Sequence, residues 1–431
     1  MDYAGALAYL DAHINLERML ASRRDSPTLD RMRRLADAMG DPQRAYPVIH
    51  VTGTNGKGST VAMISQLLAE HGLTVGTYTS PHLERINERI VRNGQPIGDE
   101  DFGDAVGAVA DLELIAGVRP SHFEILTAAA FRWFADVAVD VAVVEVGLLG
   151  RWDATNVADG QVAVVTNVSL DHTEYAGPTR EDIAREKAGI IKPASTLVLG
   201  ETDPAIQPIF REAGAERVYE RETDFDCVAN ELALGGRLLD LRTPAATYPE
   251  VFLPLHGRHQ GDNAAAALCA VESFFDHPLD PEVVATAFGD VRMPGRFEVL
   301  GHRPLLILDG AHNLAGAEVA ASVMREEFDP VGERIFVVGF LRGRDPASML
   351  DSLEAADSRL VVCCTPPSPR AIPAEETGRA ARELGCEVAV VDDVASAASL
   401  ALATASEEDA ILITGSLYVV GAARAHLRAG K

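Results

Sequence analysis

The stretch His50–Thr60, HVTGTNGKGST, decides how the first half of this chain folds. Upstream lies AYPVI, an apolar and β-branched run that is typical of a buried strand. Downstream lies STVAMISQLLAEHG, in which apolar residues recur at helical spacing before a glycine stop. A glycine-rich turn between a strand and a helix N-terminus points backbone N–H groups and the positive dipole end into one cavity. We therefore predict a phosphate-binding loop, with an ordinary tight turn as the alternative.

The residues of this loop depart from the Walker pattern, in which Ser or Thr follows Gly-Lys directly. Here Gly56 and Lys57 are followed by Gly58, and the hydroxyl groups come later, at Ser59 and Thr60. Lys57 would place a point charge at the β- and γ-phosphates, and a following hydroxyl would lie near a metal ion. The pattern indicates a phosphate loop of a different family.

Lysine usage supports this interpretation and adds a second candidate. Only four of the 38 basic residues are lysines, namely Lys57, Lys187, Lys192 and Lys431. Arginine cannot supply a compact ammonium or a neutral amine. Lys57 and Lys187 are therefore candidates for positions with a chemical requirement, although Lys187 could also be an ordinary lysine on a helix surface.

Composition limits the class of protein. A chain of 431 residues with 47% hydrophobic and 24% charged residues is long enough for two or three globular domains. No apolar run approaches the roughly 20 residues that span a bilayer, and the N-terminus lacks a basic region before its apolar positions. The five cysteines show no metal-binding spacing, which favours reduced thiols and a cytoplasmic location. A net charge of −26 argues against nucleic acid as a partner.

The order of elements predicts an α/β protein with two domains. Valine-rich runs such as DVAVVEVG and QVAVVTNVS alternate with helices in the first part, as expected for a mostly parallel sheet with helices on both faces. The pattern restarts near MPGRFEVLGHRP with five further candidates for buried strands, LLILDGAH, RIFVVGFL, RLVVCCTP, CEVAVVDD and AILITGSLYVV. We predict a phosphate-loop domain over residues 1–297 and a smaller Rossmann-like α/β domain over residues 298–431.

Ligands of such sheets bind beyond the carboxyl ends of the strands, so the residues after each apolar run are the candidates. Ser80 and His82 follow the second strand, Glu145 ends a valine run, and His172 follows another. A glutamate in an apolar strand is unfavourable unless its charge is satisfied, and Mg²⁺ accepts carboxylate and hydroxyl oxygens. Glu145 is therefore a candidate metal ligand, or else the partner of a core arginine. His172 is a candidate nitrogen ligand, or else an edge histidine that bonds locally.

Seven motifs together carry a more specific resemblance. They are, in order, GTNGKGS, TSPHL…NERI, EVGLLGRWDATN, DHTEYAGPTREDIAREKAGIIK, GDNAAAAL, MPGRFEV and DGAHNLAGA. In this order they resemble the motifs of the folylpolyglutamate synthase/dihydrofolate synthase family, which is related to the Mur peptide ligases. The resemblance runs from about His50 to beyond Ala317. Arg151 and Asp153 resemble the version found in bifunctional bacterial members.

The resemblance implies that ATP binds between the two domains. It assigns the phosphates to residues of the loop, namely Thr54, Asn55, Gly56, Lys57, Gly58 and Ser59. It assigns further nucleotide contacts to Asn263, Arg296, Asp309 and His312. One or two magnesium ions would be held by Ser80, Glu145 and His172, with Ser59 near them. Lys187 matches a lysine that is carbamylated in relatives, so that Lys57, Lys187 and His172 form the expected catalytic group.

The resemblance also implies a pteroate or folate site. Its expected residues are Ser80, His82, Phe123, Glu124, Trp152, Asp153 and Ala154. Trp152 could stack on a flat ring, or it could be a core residue at the base of a loop.

The implied activity is ATP-dependent addition of L-glutamate to dihydropteroate, to the glutamate tail of reduced folates, or to both. An acyl phosphate would be the intermediate, and ADP and phosphate the other products. The resemblance further implies a monomer whose partners are small molecules only. Two alternatives remain. One is a Mur-type ligase acting on a cell-wall precursor, which DGAHN, the segment EVGLLGRWDATN and the lack of a domain before the loop disfavour. The other is a nucleotide-dependent regulatory ATPase, which the lysine of EKAGI and the second α/β domain disfavour.

Overall fold

The computed structural model describes residues 1–15, 28–171 and 173–429. Within these residues the chain forms one large sheet, one small antiparallel sheet and one six-stranded sheet. The α/β fold class, with a mostly parallel sheet in the first part and a smaller α/β unit in the second, is confirmed.

The large sheet has the strand order β4-β3-β2-β5-β1-β6-β7-β8. Pairing is parallel except at the β2–β3 and β3–β4 edge. The strands are β1 (Val48–Thr52), β2 (Val75–Tyr78), β3 (Ile90–Arg92), β4 (Gln95–Pro96), β5 (Val141–Glu145), β6 (Val162–Val165), β7 (Thr196–Leu199) and β8 (Arg217–Glu220).

The described helices of the first part are α1 (Tyr3–Asp11), α2 (Asp30–Ala38), α3 (Lys57–Glu70), α4 (Asp99–Ala116), α5 (His122–Asp136), α6 (Thr173–Ala176), α7 (Arg180–Lys187), α8 (Gln207–Arg211), α9 (His259–Phe275) and α10 (Pro281–Gly289). Helices α3, α9 and α10 cover one face of the sheet through a core that contains Ile49 and Val143. Helices α1, α2, α4 and α5 cover the other face, where Val48 and Val144 point. Successive strand residues point to opposite sides of the sheet, and both faces are apolar because nearly every residue of these strands is apolar.

The small sheet consists of β9 (Asp226–Ala233), β10 (Gly236–Arg242) and β11 (Thr247–Leu253). Strands β9 and β10 form the hairpin that the segment ELALGGRLLDLRT predicts. Leu239, Leu241 and Leu253 point from this sheet into the same core as α3 and α9, so the sheet extends the cover of one face.

The six-stranded sheet has the order β12-β13-β17-β14-β15-β16. Its strands are β12 (Glu298–His302), β13 (Leu305–Leu308), β14 (Arg334–Val338), β15 (Leu360–Cys364), β16 (Val388–Val391) and β17 (Ala410–Thr414), and its described helices are α11 (Leu314–Glu326), α12 (Pro346–Ser352), α13 (Ala374–Glu383), α14 (Val394–Thr404) and α15 (Leu417–Ala429). Only β12 runs antiparallel to its neighbour.

Two expectations for this sheet are wrong in detail. The segment AILITGSLYVV is not one strand, because the strand ends at Thr414 and Leu417 begins a helix. Gly415 adopts a left-handed φ of 102° at this turn. The segment CEVAVVDD does form a strand, but β16 is half-buried rather than buried, since it is the edge strand.

Every helix in the described part of the chain is too short or too polar to cross a bilayer. All five cysteines lie in described segments and are unpaired, four of them buried.

Candidate active site

The predicted phosphate loop connects β1 to α3, as the sequence indicates. Gly56 has φ 82°, and a Cβ atom there would lie 2.5 Å from the Asn263 side chain; at Gly53, φ is 154° and a Cβ would lie 1.8 Å from Thr166 Oγ1. Both positions require glycine because the backbone approaches its neighbours too closely for a side chain. The turn that these glycines allow places the N–H groups of the residues at the N-terminus of α3 beside the cavity.

Thr166 and Asn167, which follow β6, hold the phosphate loop in place. The N–H of Thr54 donates to the carbonyl of Asn167 at 2.9 Å, and the N–H of Asn55 donates to Asn167 Oδ1 at 3.0 Å. Thr166 Oγ1 donates to the carbonyl of Asn55 at 2.6 Å. These contacts follow from the pairing of β1 with β6, which brings the residues after both strands together. The sequence analysis missed Asn167, although its place directly after VAVVT marks it.

Lys57 is the first residue of α3 and bends back over the loop. Its Nζ atom donates to the carbonyls of Gly53 at 3.1 Å and Thr54 at 3.2 Å. The ammonium is thus held in the same cavity as the loop N–H groups, where a bound anion would meet it.

Glu145 ends β5 beside the phosphate loop, because Glu145 pairs with Val51 in the strand register. The residue is 5% exposed, and its Oε2 accepts a hydrogen bond from the N–H of Ser80 at 3.1 Å. Burial raises the pKa of this carboxyl group, whereas the nearby charge of Lys57 opposes the rise. A cation bound at Glu145 would compensate for the burial of the carboxylate.

The donor set around Glu145 fits magnesium. Among the described residues, no group of three or more His, Cys, Asp or Glu side chains is arranged to hold a metal ion. Glu145 and the Ser80 hydroxyl instead offer one carboxylate and one hydroxyl beside a phosphate loop, and Ser59 is buried within the first turn of α3. Mg²⁺ is commonly bound in this way, with substrate phosphates and water completing its coordination. His172 lies outside the described residues.

Lys187 is buried, so its interpretation as a surface helix lysine is wrong. It is 4% exposed, and its Nζ donates to the carbonyl of Gly53 at 2.6 Å. Burial lowers its pKa well below the ordinary value, the charge of Lys57 lowers it further, and Asp171 opposes the shift. An amine in this position is able to exist in its neutral form.

The six-stranded unit, together with Arg296 just before its first strand, closes the cleft from the opposite side. Arg296, Asp309 and His312 line the same cavity of about 400 Å³ as the phosphate loop, Asn263 and Lys187. Burial raises the pKa of Asp309, and Arg296 opposes that rise. Burial lowers the pKa of His312 to about 4, so its ring is neutral at neutral pH. The four side chains that the resemblance assigns to nucleotide binding thus line one cavity.

Side-chain contacts join the two sides of the cleft. Asn313 Nδ2 donates to Asn55 Oδ1 at 3.0 Å. Arg344 Nη2 lies 2.6 Å from Asp171 Oδ1, and Asn313 also donates to Asp171 at 3.3 Å. The sequence analysis did not single out Arg344, although it follows the carboxyl end of β14 in the segment GFLRGRD. Its position after a buried strand is the signal that could have identified it.

Of the seven residues assigned to a pteroate or folate, Ser80 lines this cavity, and the other six, all in described segments, are not among the residues that line it. The Phe123 ring packs so closely behind Gly147, which lines the cavity, that a Cβ there would lie 2.4 Å from Phe123 Cζ. Trp152 is 43% exposed, so its alternative interpretation as a core residue is wrong. His82 Nδ1 accepts a hydrogen bond from Arg89 Nε at 3.0 Å.

Two of these carboxylates organise their own loops. Glu124 accepts the N–H of Ser121 at 2.7 Å, completing the N-terminal cap of α5, and pairs with Arg31 at 3.2 Å. Asp153 accepts the N–H groups of Leu148 and Thr155, and it begins the short helix Ala154–Val157. Their roles in substrate binding stay predictions.

The families that match the chain are consistent with this geometry. Residues 106–271 match the Mur ligase middle domain, and residues 295–417 match the Mur ligase glutamate ligase domain. A phosphate loop, a buried carboxylate and a second α/β unit over one cleft, together with these matches, define an ATP-dependent ligase of the Mur type.

The dihydrofolate synthase/folylpolyglutamate synthase of Mycobacterium tuberculosis is 36% identical to this chain over 455 aligned residues, which cover 95% of this chain and 93% of that relative. The chain therefore belongs to the dihydrofolate synthase/folylpolyglutamate synthase family.

Solved structures of relatives share the fold. Folylpolyglutamate synthase of M. tuberculosis in complex with ADP is 35% identical, with a TM-score of 0.91 and 99% of both chains covered. The Escherichia coli relative in complex with DHPP and ADP is 31% identical, with a TM-score of 0.87 and coverage of 100% of this chain and 98% of that one. A bifunctional folylpolyglutamate synthase/dihydrofolate synthase with Mn, AMPPNP and L-glutamate bound is 30% identical, with a TM-score of 0.86 and coverage of 99% of this chain and 98% of that one.

Proposed function

We propose that this protein joins the α-amino group of L-glutamate to a carboxylate of dihydropteroate, of a reduced folate, or of both, at the expense of ATP. One observation carries this proposal. The phosphate loop, Lys57, Glu145 and Arg296 from the first domain share one cleft with Asp309 and His312 from the second. The relatives with ADP, DHPP, Mn, AMPPNP and L-glutamate support the choice of substrates.

The first chemical step is phosphoryl transfer. An oxygen of the substrate carboxylate attacks the γ-phosphorus of ATP, the bond from that phosphorus to the β-γ bridging oxygen breaks, and ADP leaves. The product is an acyl phosphate. Lys57 and the N–H groups of Gly56, Gly58 and Ser59 stabilise the charge on the transferred group, as fixed donors in a protected site do.

The second step forms the amide. The neutral amine of glutamate attacks the activated carbonyl carbon, the bond from carbon to the phosphate oxygen breaks, and the nitrogen releases one proton to solvent. Water must be excluded, because it would hydrolyse the acyl phosphate. The Asn55–Asn313 and Asp171–Arg344 contacts bridge the two sides of the cleft and so help to shield it from solvent.

Glu145, the Ser80 hydroxyl and Ser59 are the described residues proposed to hold one or two magnesium ions, with His172 as the further ligand that the resemblance implies. Bound magnesium would neutralise charge on the phosphates. Lys187 is proposed to carry a carbamate: its neutral amine adds to the carbon of carbon dioxide, and one proton leaves. The buried position and lowered pKa of Lys187 support that reaction.

The proposed domain boundary lies between residues 297 and 298, just before β12 begins the six-stranded sheet. The first domain would bind ATP and the pteroate or folate, while the second would contribute to glutamate binding. The enzyme is further proposed to act as a monomer, as the family resemblance implies.

A substrate-omission assay tests the function. We expect release of phosphate and formation of a glutamyl product only when ATP, glutamate and either dihydropteroate or a reduced folate are all present. Turnover with one of the two acceptors alone identifies which of the two activities is present. Phosphate release that needs neither acceptor nor glutamate would instead favour a regulatory ATPase, and turnover only with a cell-wall nucleotide would favour a Mur-type ligase.

A further inference from the structure

The last helix of the chain packs on the segment that follows β2, residues 79–85, here called the Ser80 segment. Leu83 of this segment packs against a hydrophobic core of the six-stranded unit, to which α15 contributes Val419, Val420 and Ala423. A Cβ atom at Gly421 of α15 would lie 2.0 Å from the carbonyl oxygen of Leu83. The helix therefore contacts the backbone of the segment directly, and glycine is required at the contact.

The Ser80 segment is internally ordered. The carboxylate of Glu88 accepts the N–H groups of Leu83 at 2.8 Å, Glu84 at 3.2 Å and Arg85 at 2.8 Å. Three bonds to one carboxylate hold these residues in a fixed arrangement, since each is charge-assisted. A displacement imposed at Leu83 or Glu84 therefore moves these residues together, and only Pro81 and His82 separate them from Ser80.

Arg424 of α15 joins this segment to a second one. Its guanidinium pairs with Glu84 of the Ser80 segment and with Glu298 of β12, at 2.8 Å in the latter case. Glu298 Oε2 also accepts the N–H of Gly295 at 2.9 Å, one residue before Arg296 in the nucleotide cleft. Arg424 is 8% exposed, so these ion pairs are largely shielded from solvent.

We propose that Arg424 is a positioning residue for the metal–nucleotide site: it fixes the Ser80 segment and the Arg296 segment relative to each other when α15 docks. This inference rests on the proposed function, in which Ser80 and Glu145 hold the metal ion and Arg296 contacts the nucleotide. Ser80 already donates its N–H to Glu145, so a shift of the segment changes both the hydroxyl ligand and the carboxylate. Docking of the last helix is thereby coupled to metal–nucleotide affinity.

The charges explain why an arginine is needed. One guanidinium satisfies two carboxylates, one from the Ser80 segment and one from β12, because its planar group of donors reaches both. Without it, Glu84 and Glu298 repel each other in a shielded site and separate the two segments. Lysine restores the charge but, as a compact ammonium, pairs well with one carboxylate only.

The test uses the full chain and the Arg424→Met and Arg424→Lys variants. Calorimetry measures the Kd for ADP with and without Mg²⁺, and hydrogen exchange measures protection of the amides of residues 79–85. We expect Arg424→Met to weaken Mg²⁺-dependent ADP binding about five- to tenfold, the lower end of typical coupling between sites. ADP binding without Mg²⁺ should change less, exchange at residues 79–85 should rise, and Arg424→Lys should be intermediate.

Two helical glycines provide a matched pair that does not change charge. Gly421→Ala forces α15 away from Leu83 and should reproduce the loss of Mg²⁺-dependent affinity. Gly289→Ala, at the end of α10, meets nothing within 4 Å, so it should bind Mg²⁺ and ADP like the wild type. Wild-type affinity and exchange in Arg424→Met and Gly421→Ala would overturn the inference alone. Failure of Mg²⁺ to tighten ADP binding in the wild type would overturn the proposed metal site and the inference with it.

Discussion

Lys57 is the residue whose side chain should matter most for phosphoryl transfer. Its ammonium lies over the phosphate loop and is held by two loop carbonyls. We expect Lys57→Ala to lower kcat by about 10²–10³-fold, as loss of a transition-state charge contact does. Lys57→Arg should also be strongly impaired, because a planar guanidinium cannot act as a point charge there. Steady-state kinetics provides the measurement, and near-normal turnover of Lys57→Arg would contradict the assignment.

Glu145 is the carboxylate on which the metal assignment depends. Glu145→Gln keeps the shape and can still accept the N–H of Ser80, but it removes the charge. We expect the Mg²⁺ concentration for half-maximal activity to rise at least about tenfold. Titration of activity with Mg²⁺ measures this. An unchanged Mg²⁺ requirement would mean that Glu145 has a structural role only.

Lys187 should be essential as an amine that becomes an acid. Lys187→Ala should abolish most activity and cost only about 1 kcal/mol of stability, the value of one hydrogen bond. A small carboxylic acid or bicarbonate should restore part of the activity. NMR of the wild type in labelled bicarbonate should show a carbamate carbon signal that Lys187→Ala lacks. Full activity of Lys187→Arg would exclude the carbamate, because guanidinium does not form one.

At the residue scale, the sequence predicted those side chains that are chemically unusual for their surroundings. A carboxylate in a valine run and two rare lysines stand out in the sequence, and all three line the cleft. The positions of Asn167 and Arg344 after buried strands mark them as candidates, but their partners lie more than 100 positions away in the sequence. Such contacts depend on strand order, which local patterns do not specify.

At the scale of elements, strand β1 contributes a buried titratable group, and this has a consequence for acid stability. His50 is fully buried, its Nε2 lies 2.9 Å from Thr155 Oγ1, and burial lowers its pKa to about 3. The unfolded chain takes up a proton near pH 6.5, whereas the folded chain does so near pH 3. The unfolded state therefore binds more protons below pH 6.5, and the free energy of unfolding decreases as the pH falls toward 3.

Urea unfolding between pH 6.5 and pH 4 measures this effect. His50 should contribute a decrease of up to about 1.4 kcal/mol per pH unit. His50→Gln should lower overall stability but reduce the slope with pH. His302→Gln, the same exchange at an exposed position that ends β12, is the matched control. An equal slope in wild type and His50→Gln would contradict the assignment of a neutral buried histidine.

Periodicity predicted the existence of most elements but not all of their ends. The strand Ala410–Thr414 and the helix from Leu417 merge into one apolar run, because both are buried and the turn between them is short. The edge position of β16 was also not predictable, since an edge strand and a central strand can share the sequence pattern VAVV.

At the scale of the whole molecule, the site exists only because two α/β units meet. The phosphate loop comes from the first unit, Asp309 and His312 come from the second, and Arg424 joins the second to the Ser80 segment of the first. The seven motifs and their order along the chain indicated both units from the sequence. The contact between α15 and the Ser80 segment was not predicted, because Glu84, Glu298 and Arg424 look like ordinary surface charges until the fold brings them together.

The central claim is that the substrate carboxylate is activated by direct attack on ATP within this cleft. The most direct test uses dihydropteroate or a reduced folate whose reacting carboxylate carries heavy oxygen, together with ATP and glutamate. Mass spectrometry of the released phosphate is the measurement. The acyl-phosphate route predicts that each phosphate carries one oxygen from the carboxylate. Amide formation with no heavy oxygen in the phosphate would contradict it.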